Sequence, residues 1–147
     1  MKKSLIYLVF IWIGLTVVPS CKKHEVAVED QPRYIVGEWK LDKLTIMGVE
    51  RSLTDCHRQS YMIFEKNGKA ESKYYTFYES TGECVLHLHY RGRWEFKDGK
   101  FYFYVEESNT SELPEAEEKE LHFLNPDYFY IEQEYGGYSG KLYFKKI

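Results

Sequence analysis

The feature that most constrains this chain is a two-residue alternation running from residue 86 to residue 96. Leu86, Leu88, Tyr90, Gly92, Trp94 and Phe96 share one parity; His87, His89, Arg91, Arg93 and Glu95 share the other. Successive side chains of a strand point to opposite faces, so the first set faces a core, because a one-residue slip would bury the polar set. The same period recurs along the chain. Glu38–Ile46 reads as a first strand, and residues 61–65 and 69–77 flank Lys66-Asn67-Gly68, a strong hairpin signal. Residues 84–90 run on into 92–96, and Lys97-Asp98-Gly99 turns into 100–105. After a polar, acidic interval over 106–118, residues 119–124 meet 128–133, and Gly136-Gly137 turns into 139–146. No segment carries a 3.6-residue period. Fourteen Tyr and nine Phe agree, since flat side chains suit a pleated surface. The expectation is all-β: an eight- or nine-stranded antiparallel up-and-down barrel, which removes exposed edges, with a β-sandwich as the alternative.

Residues 1–20 stand apart. Lys2 and Lys3 precede a mostly apolar run from Leu5 to Val18, then Pro19-Ser20-Cys21. A basic start and a short apolar stretch ending at small residues describe a secretory signal, too short to span a bilayer. Val18-Pro19-Ser20-Cys21 resembles the lipobox of bacterial lipoproteins, in which the Cys becomes the lipidated first residue. The chain is therefore read as a signal peptide over 1–20, lipidated Cys21 with a flexible tether over 21–34, and a folded domain over 35–147. Lys22 following Cys21 resembles lipoproteins sorted to the outer membrane. Removing residues 1–20 takes two lysines and moves the formal charge from −3 to −5. That balance gives no global attraction to nucleic acid, so membrane contact is expected through the anchor alone. With Cys21 acylated, Cys56 and Cys84 remain as an even pair in an oxidising compartment and are expected to bridge.

Gly37-Glu38-Trp39 opening the first strand resembles the Gly-x-Trp motif of the lipocalins and wider calycin barrels. The order of motifs is similar to that of small bacterial lipocalin-like lipoproteins: Gly37 to Leu41, Asp55-Cys56, Phe64 to Gly68, and Gly92-Arg93-Trp94. The resemblance spans roughly residues 35–147. True lipocalins stack an Arg on the first-strand Trp; no Arg here is assigned to that place, and no long helix follows the barrel strands. What the resemblance implies is a barrel holding a small apolar ligand at its mouth. Trp39 and Trp94, each two residues after a Gly, are expected to plug one end. The opposite end is expected to form a shallow pocket of micromolar affinity or weaker, with Leu86, Leu88, Tyr90, Phe101, Phe103, Phe123 and Phe144 as wall residues.

Other candidate sites are weaker. His87-x-His89 is the one metal-like spacing, and zinc would need a third ligand such as His57 or His122. Parity places both histidines outside the barrel, so they read as solvated and no metal or cofactor is expected. The acidic residues over 106–120 lack the interleaved order of a calcium loop. Asn109-Thr110-Ser111 fits a glycosylation sequon. No nucleophile elbow, phosphate loop or catalytic triad pattern is present, so no enzymatic activity is expected. Tyr61, Tyr74, Tyr102, Tyr104, Tyr130, Tyr135, Tyr138 and Tyr143 exceed what one interior holds. If the core is solid, an exposed tyrosine-rich face contacting a protein or glycan becomes the alternative function.

Overall fold

The computed structural model describes residues 26–111 and 117–147. The expected signal segment, Cys21 and the first part of the tether lie outside the described residues, as do Glu112 and Glu115 of the acidic run. Ten strands form one antiparallel sheet: β1 Gly37–Ile46, β2 Val49–Arg51, β3 Tyr61–Phe64, β4 Lys69–Tyr78, β5 Glu83–Lys97, β6 Lys100–Ser108, β7 Glu117–Lys119, β8 His122–Asn125, β9 Tyr128–Tyr135 and β10 Tyr138–Lys146. Their order is β7-β6-β5-β4-β3-β1-β10-β9-β8, with β2 paired to β1 off this path. No ladder joins β7 to β8 among the described residues. Yet only Glu120 and Leu121 separate those two end strands, about 10 Å of chain. The sheet therefore curls enough to bring the end of β7 beside the start of β8, without a ladder closing it among the described residues.

The all-β antiparallel reading stands, with a count of ten. Val49–Arg51 adds a short hairpin to β1. The expected strand over 119–124 splits into β7 and β8 because Leu121 turns into the core at 4% exposure. Residues 84–96 form one long strand, and β6 runs past its expected end, carrying Glu106 and Glu107 into the sheet. The chain is ordered before residue 35. Val28–Asp30 forms a 3-10 turn and Gln31–Ile35 a short helix, α1, with Pro32 in its first turn. Ile35, at the end of α1, is fully buried.

One end of the barrel is solid. Trp39, Phe129 and Phe144 are fully buried there, with Phe101 at 1% exposure. Trp39 packs edge-on against Phe129 at 4.7 Å and Phe123 at 6.0 Å, and Phe129 stacks on Phe144 at 5.4 Å. The Trp39 indole donates to the Ile35 carbonyl at 2.7 Å, which ties α1 across this end. Lys146 takes the place for which no Arg was assigned. Its ammonium lies 5.1 Å over the Trp39 ring and donates to the Tyr34 carbonyl at 2.8 Å, a cation–π contact reinforced by a charged hydrogen bond. Trp94 sits beside Phe101 and Phe64 and docks on the first tight hairpin, its indole donating to the Glu65 carbonyl at 3.0 Å and its amide to Gly68 at 2.7 Å.

Both Gly-x-Trp glycines are places of close approach. A Cβ on Gly92 would lie 1.8 Å from the Tyr104 carbonyl oxygen, a backbone atom that cannot yield. Gly37, at φ +142°, lies under the Lys146 stem. Each glycine thus lets a neighbouring chain lie flat beside its Trp.

Candidate functional site

The other end is hollow. A half-enclosed cavity of about 540 Å³ opens there, within the range of small-molecule sites. Its floor comes from the inward faces of Met62, Phe64, Phe103, Ile131 and Leu142, with Leu121 at the seam between β7 and β8. Ser72 on β4 pairs with Met62 on β3 and with Tyr90 on β5, and nearer the opening the wall carries Tyr74 on β4 and Gln133 and Tyr135 on β9. Neither Trp39 nor Trp94 touches it, so the two indoles close one end and the cavity occupies the other.

The alternation over 88–96 holds: Leu88, Tyr90, Gly92, Trp94 and Phe96 are half-buried while Arg91, Arg93 and Glu95 are exposed. The expected wall residues divide. Leu88, Tyr90 and Phe103 line the cavity. Phe101, Phe123 and Phe144 lie in the packed end instead, because parity assigns a face and says nothing of height along the barrel. Leu86 leaves the wall for another reason. The β4–β5 register passes from Tyr74 opposite Leu88 to Tyr75 opposite Leu86, which leaves His87 as a bulged extra residue. Cross-strand partners share a face, so Leu86 and Leu88 fall on opposite faces, and His87, expected outside, lines the cavity.

The histidines do separate things. His89 stays on the outer face and bonds Glu71 at 2.8 Å. Burial alone would raise the Glu71 pKa, but the His89 hydrogen bond and the charges of Lys73 and Arg91 outweigh it and hold the carboxyl below its ordinary value. His122 stacks on Tyr130 at 4.5 Å. Among the described residues, no three metal-ligating side chains cluster. Asn109 accepts from the His89 amide at 2.7 Å. Among the described residues of the acidic run, Glu106 meets Arg93 at 2.6 Å, Glu107 meets Arg91 at 3.7 Å and Glu118 meets Lys100 at 2.5 Å.

The tyrosines divide as well. Tyr74, Tyr90 and Tyr135 face the cavity. On the outer face Tyr128, Tyr130 and Tyr143 stack at 5.3–6.0 Å, with Lys43 over Tyr143 and Lys141 over Tyr130. Burial and a bond to Asp42 push the Tyr128 hydroxyl's pKa up.

The part of the site missing from the sequence reading is the rim loop before β3. Cys56 and Cys84 are bridged, 28 residues apart with Cα atoms 5.5 Å from each other. The bridge fastens a 3-10 turn, His57–Gln59, to the start of β5, and the loop contributes Leu53, His57 and Ser60 to the cavity. Ser60 is 1% exposed, and its hydroxyl accepts from the Tyr75 amide at 3.0 Å. Cys56 was the available signal: a loop tied to the start of a barrel strand must lie at a barrel rim.

Against known proteins, a family model described as a lipocalin-like domain matches residues 35–123. The match runs from the buried Ile35 through β1 to Phe123 in β8, and β9 and β10, which pair with each other while β10 pairs with β1, follow it. No curated protein matches the chain. The matched residues hold the Gly-x-Trp opening, Trp39, Phe101 and Phe123 of the packed end, the rim loop with its disulfide, and most of the cavity wall, and this fold is generally a non-enzymatic one that binds small hydrophobic ligands. The chain belongs to the lipocalin-like domain family.

Proposed function

We propose that this protein is an exported, lipid-anchored binding protein that holds a small, largely apolar molecule in the barrel cavity. The carrying observation is the half-open 540 Å³ cavity with an apolar floor, at the end opposite the aromatic plug. A solid core would have favoured the tyrosine-face alternative; here the interior is hollow, and two of the outer tyrosine rings lie under lysines. Affinity in the micromolar range, on the order of −8 kcal/mol, fits a site of this kind. Anchoring through Cys21 at the outer membrane rests on the Val18-Pro19-Ser20-Cys21 sequence and on Lys22 after it.

Native mass spectrometry of protein from its host, with displacement of a polyene fatty-acid probe, tests the binding. Ser72 is an inward, cavity-lining residue opposite Met62 and Tyr90, so Ser72→Trp fills the cavity. Probe binding to the wild type and its loss in Ser72→Trp is the expected result. Equal binding by both, or by neither, removes the carrier function. For the anchor, Cys21→Ser should move the protein from the membrane fraction to the soluble periplasmic fraction; an unchanged membrane fraction refutes lipidation.

A further inference from the structure

Resting on the binding function just proposed, we infer that the cavity rim selects a ligand whose head group accepts hydrogen bonds, such as a carboxylate, and rejects a cationic head, with His57 as the residue that reads it. Three observations carry this. The first is the polarity gradient: the floor is aliphatic and aromatic, whereas the rim presents His57, His87, Tyr135 and Gln133. An amphiphile therefore lies tail down with its head at the rim.

The second is the sign of the field. Among the described residues lining the cavity, Glu71 is the single carboxylate, and it belongs to the outer face, where His89 lies at 2.8 Å and Lys73 and Arg91 at 3.5 Å. Among the described residues, the cavity wall thus offers no unpaired carboxylate to a positively charged head. Such a head would leave water for a site without a counter-charge, which is costly.

The third is the state of the His57 ring. The Thr54 amide donates to Nδ1 at 3.3 Å, and the Thr54 hydroxyl sits 2.8 Å from the same nitrogen. An Nδ1 that accepts from an N–H carries no proton of its own, so in the neutral ring the proton is on Nε2. The rim therefore holds an N–H donor whose tautomer is set by the loop, and the Cys56–Cys84 bridge fixes that loop. Burial pushes the Tyr135 pKa up to about 12, which keeps a second cavity-lining donor protonated.

The test uses the full chain carrying Cys21→Ser, so that no acyl anchor competes for the cavity, in calorimetric titrations with twelve-carbon probes sharing one tail. The heads are carboxylate, phosphate ester, alcohol and trimethylammonium. Dodecanoate or dodecyl phosphate should bind at least about tenfold tighter than the trimethylammonium compound, and the order of those two identifies which acceptor the rim prefers. His57→Phe should weaken the best acceptor-headed probe about tenfold, the range of a hydrogen bond to a charged group, while leaving the trimethylammonium probe unchanged. His57→Gln, which keeps a donor, should restore most of the preference and controls for loop damage. Trimethylammonium binding as tightly as carboxylate and phosphate, or His57→Phe weakening every probe equally, overturns the inference. Failure of all four to bind overturns the carrier function beneath it.

Discussion

Removing the Cys56–Cys84 bridge should cost this domain more than any surface change, and the cost can be worked from its span. A crosslink between residues 28 apart restricts the unfolded chain by about 12 cal/mol/K on the chain-entropy relation, or about 3.6 kcal/mol at 25 °C. The roughly 120 described residues imply an unfolding entropy near 0.25 kcal/mol/K, so Tm should fall by about 14 °C. Cys56→Ala with Cys84→Ala is the appropriate variant, because Cys56 is only 5% exposed and Ser would bury a hydroxyl. Differential scanning calorimetry of this variant, alongside the wild type with and without reductant, gives the number. The same bridge holds Leu53, His57 and Ser60 at the cavity rim, so probe affinity measured well below Tm should also drop. A Tm loss under about 4 °C would refute the entropic account. Unchanged affinity in the reduced protein would show that the rim loop holds itself.

Gly92→Ala should destabilise by at least about 3 kcal/mol, because the new methyl meets the Tyr104 carbonyl at 1.8 Å and forces β5 from β6; near-wild-type urea unfolding would contradict that geometry. Lys146→Ala should cost about 2 kcal/mol through loss of its bond to the Tyr34 carbonyl and its seat over Trp39, read as a Tm drop with unchanged ligand affinity. Glu71→Gln should destabilise modestly at neutral pH and not at acid pH. A carboxyl held below its ordinary pKa contributes stability above the unfolded value, near 4.5, and loses it as pH falls through the folded one. Equal destabilisation by Glu71→Gln at pH 7 and pH 3 would disprove the ion-pair origin.

What the sequence carried and what it withheld follow from what each signal reports. Alternation reports the face of a strand, so Leu88, Tyr90, Trp94 and Phe96 were placed inward correctly. It reports nothing about depth, so Phe101, Phe123 and Phe144 were expected on the cavity wall and belong to the plug. It also fails at a bulge. His87 breaks the β4–β5 register, and Asp42, Glu106 and Leu124 are the extra residues in three other ladders. Only the Glu106 bulge has a Gly beside it, Gly92 on the partner strand; the other three have no local marker of the shift. Helix α1 escaped notice because five residues are too few for a 3.6-residue period; its place comes from the Trp39 indole bonding Ile35. Cysteine count sufficed for the disulfide, and through it the rim loop was within reach, although no periodicity marks His57.

The two ends of the barrel divide stability from binding, and that division can be tested directly. Trp39, Phe101, Phe129 and Phe144 are each at 1% exposure or less, and a large apolar side chain buried so completely contributes about 1.5–3 kcal/mol. Net domain stability is only about 5–15 kcal/mol, so the packed end can carry the fold while the other end stays hollow. A cavity-wall side chain that is half-buried already lacks neighbours on its inner side, and trimming it opens less new void. Phe129→Ala should therefore cost about 3–5 kcal/mol, and Leu88→Ala under about 1.5 kcal/mol by area lost. Binding should show the reverse order: Leu88→Ala removes contact area from the ligand, whereas Phe129→Ala, examined where it is still folded, keeps probe affinity near wild type. Paired urea unfolding and probe titration of the two variants decide the matter. Leu88→Ala as destabilising as Phe129→Ala would mean that the cavity is closed and packed in solution.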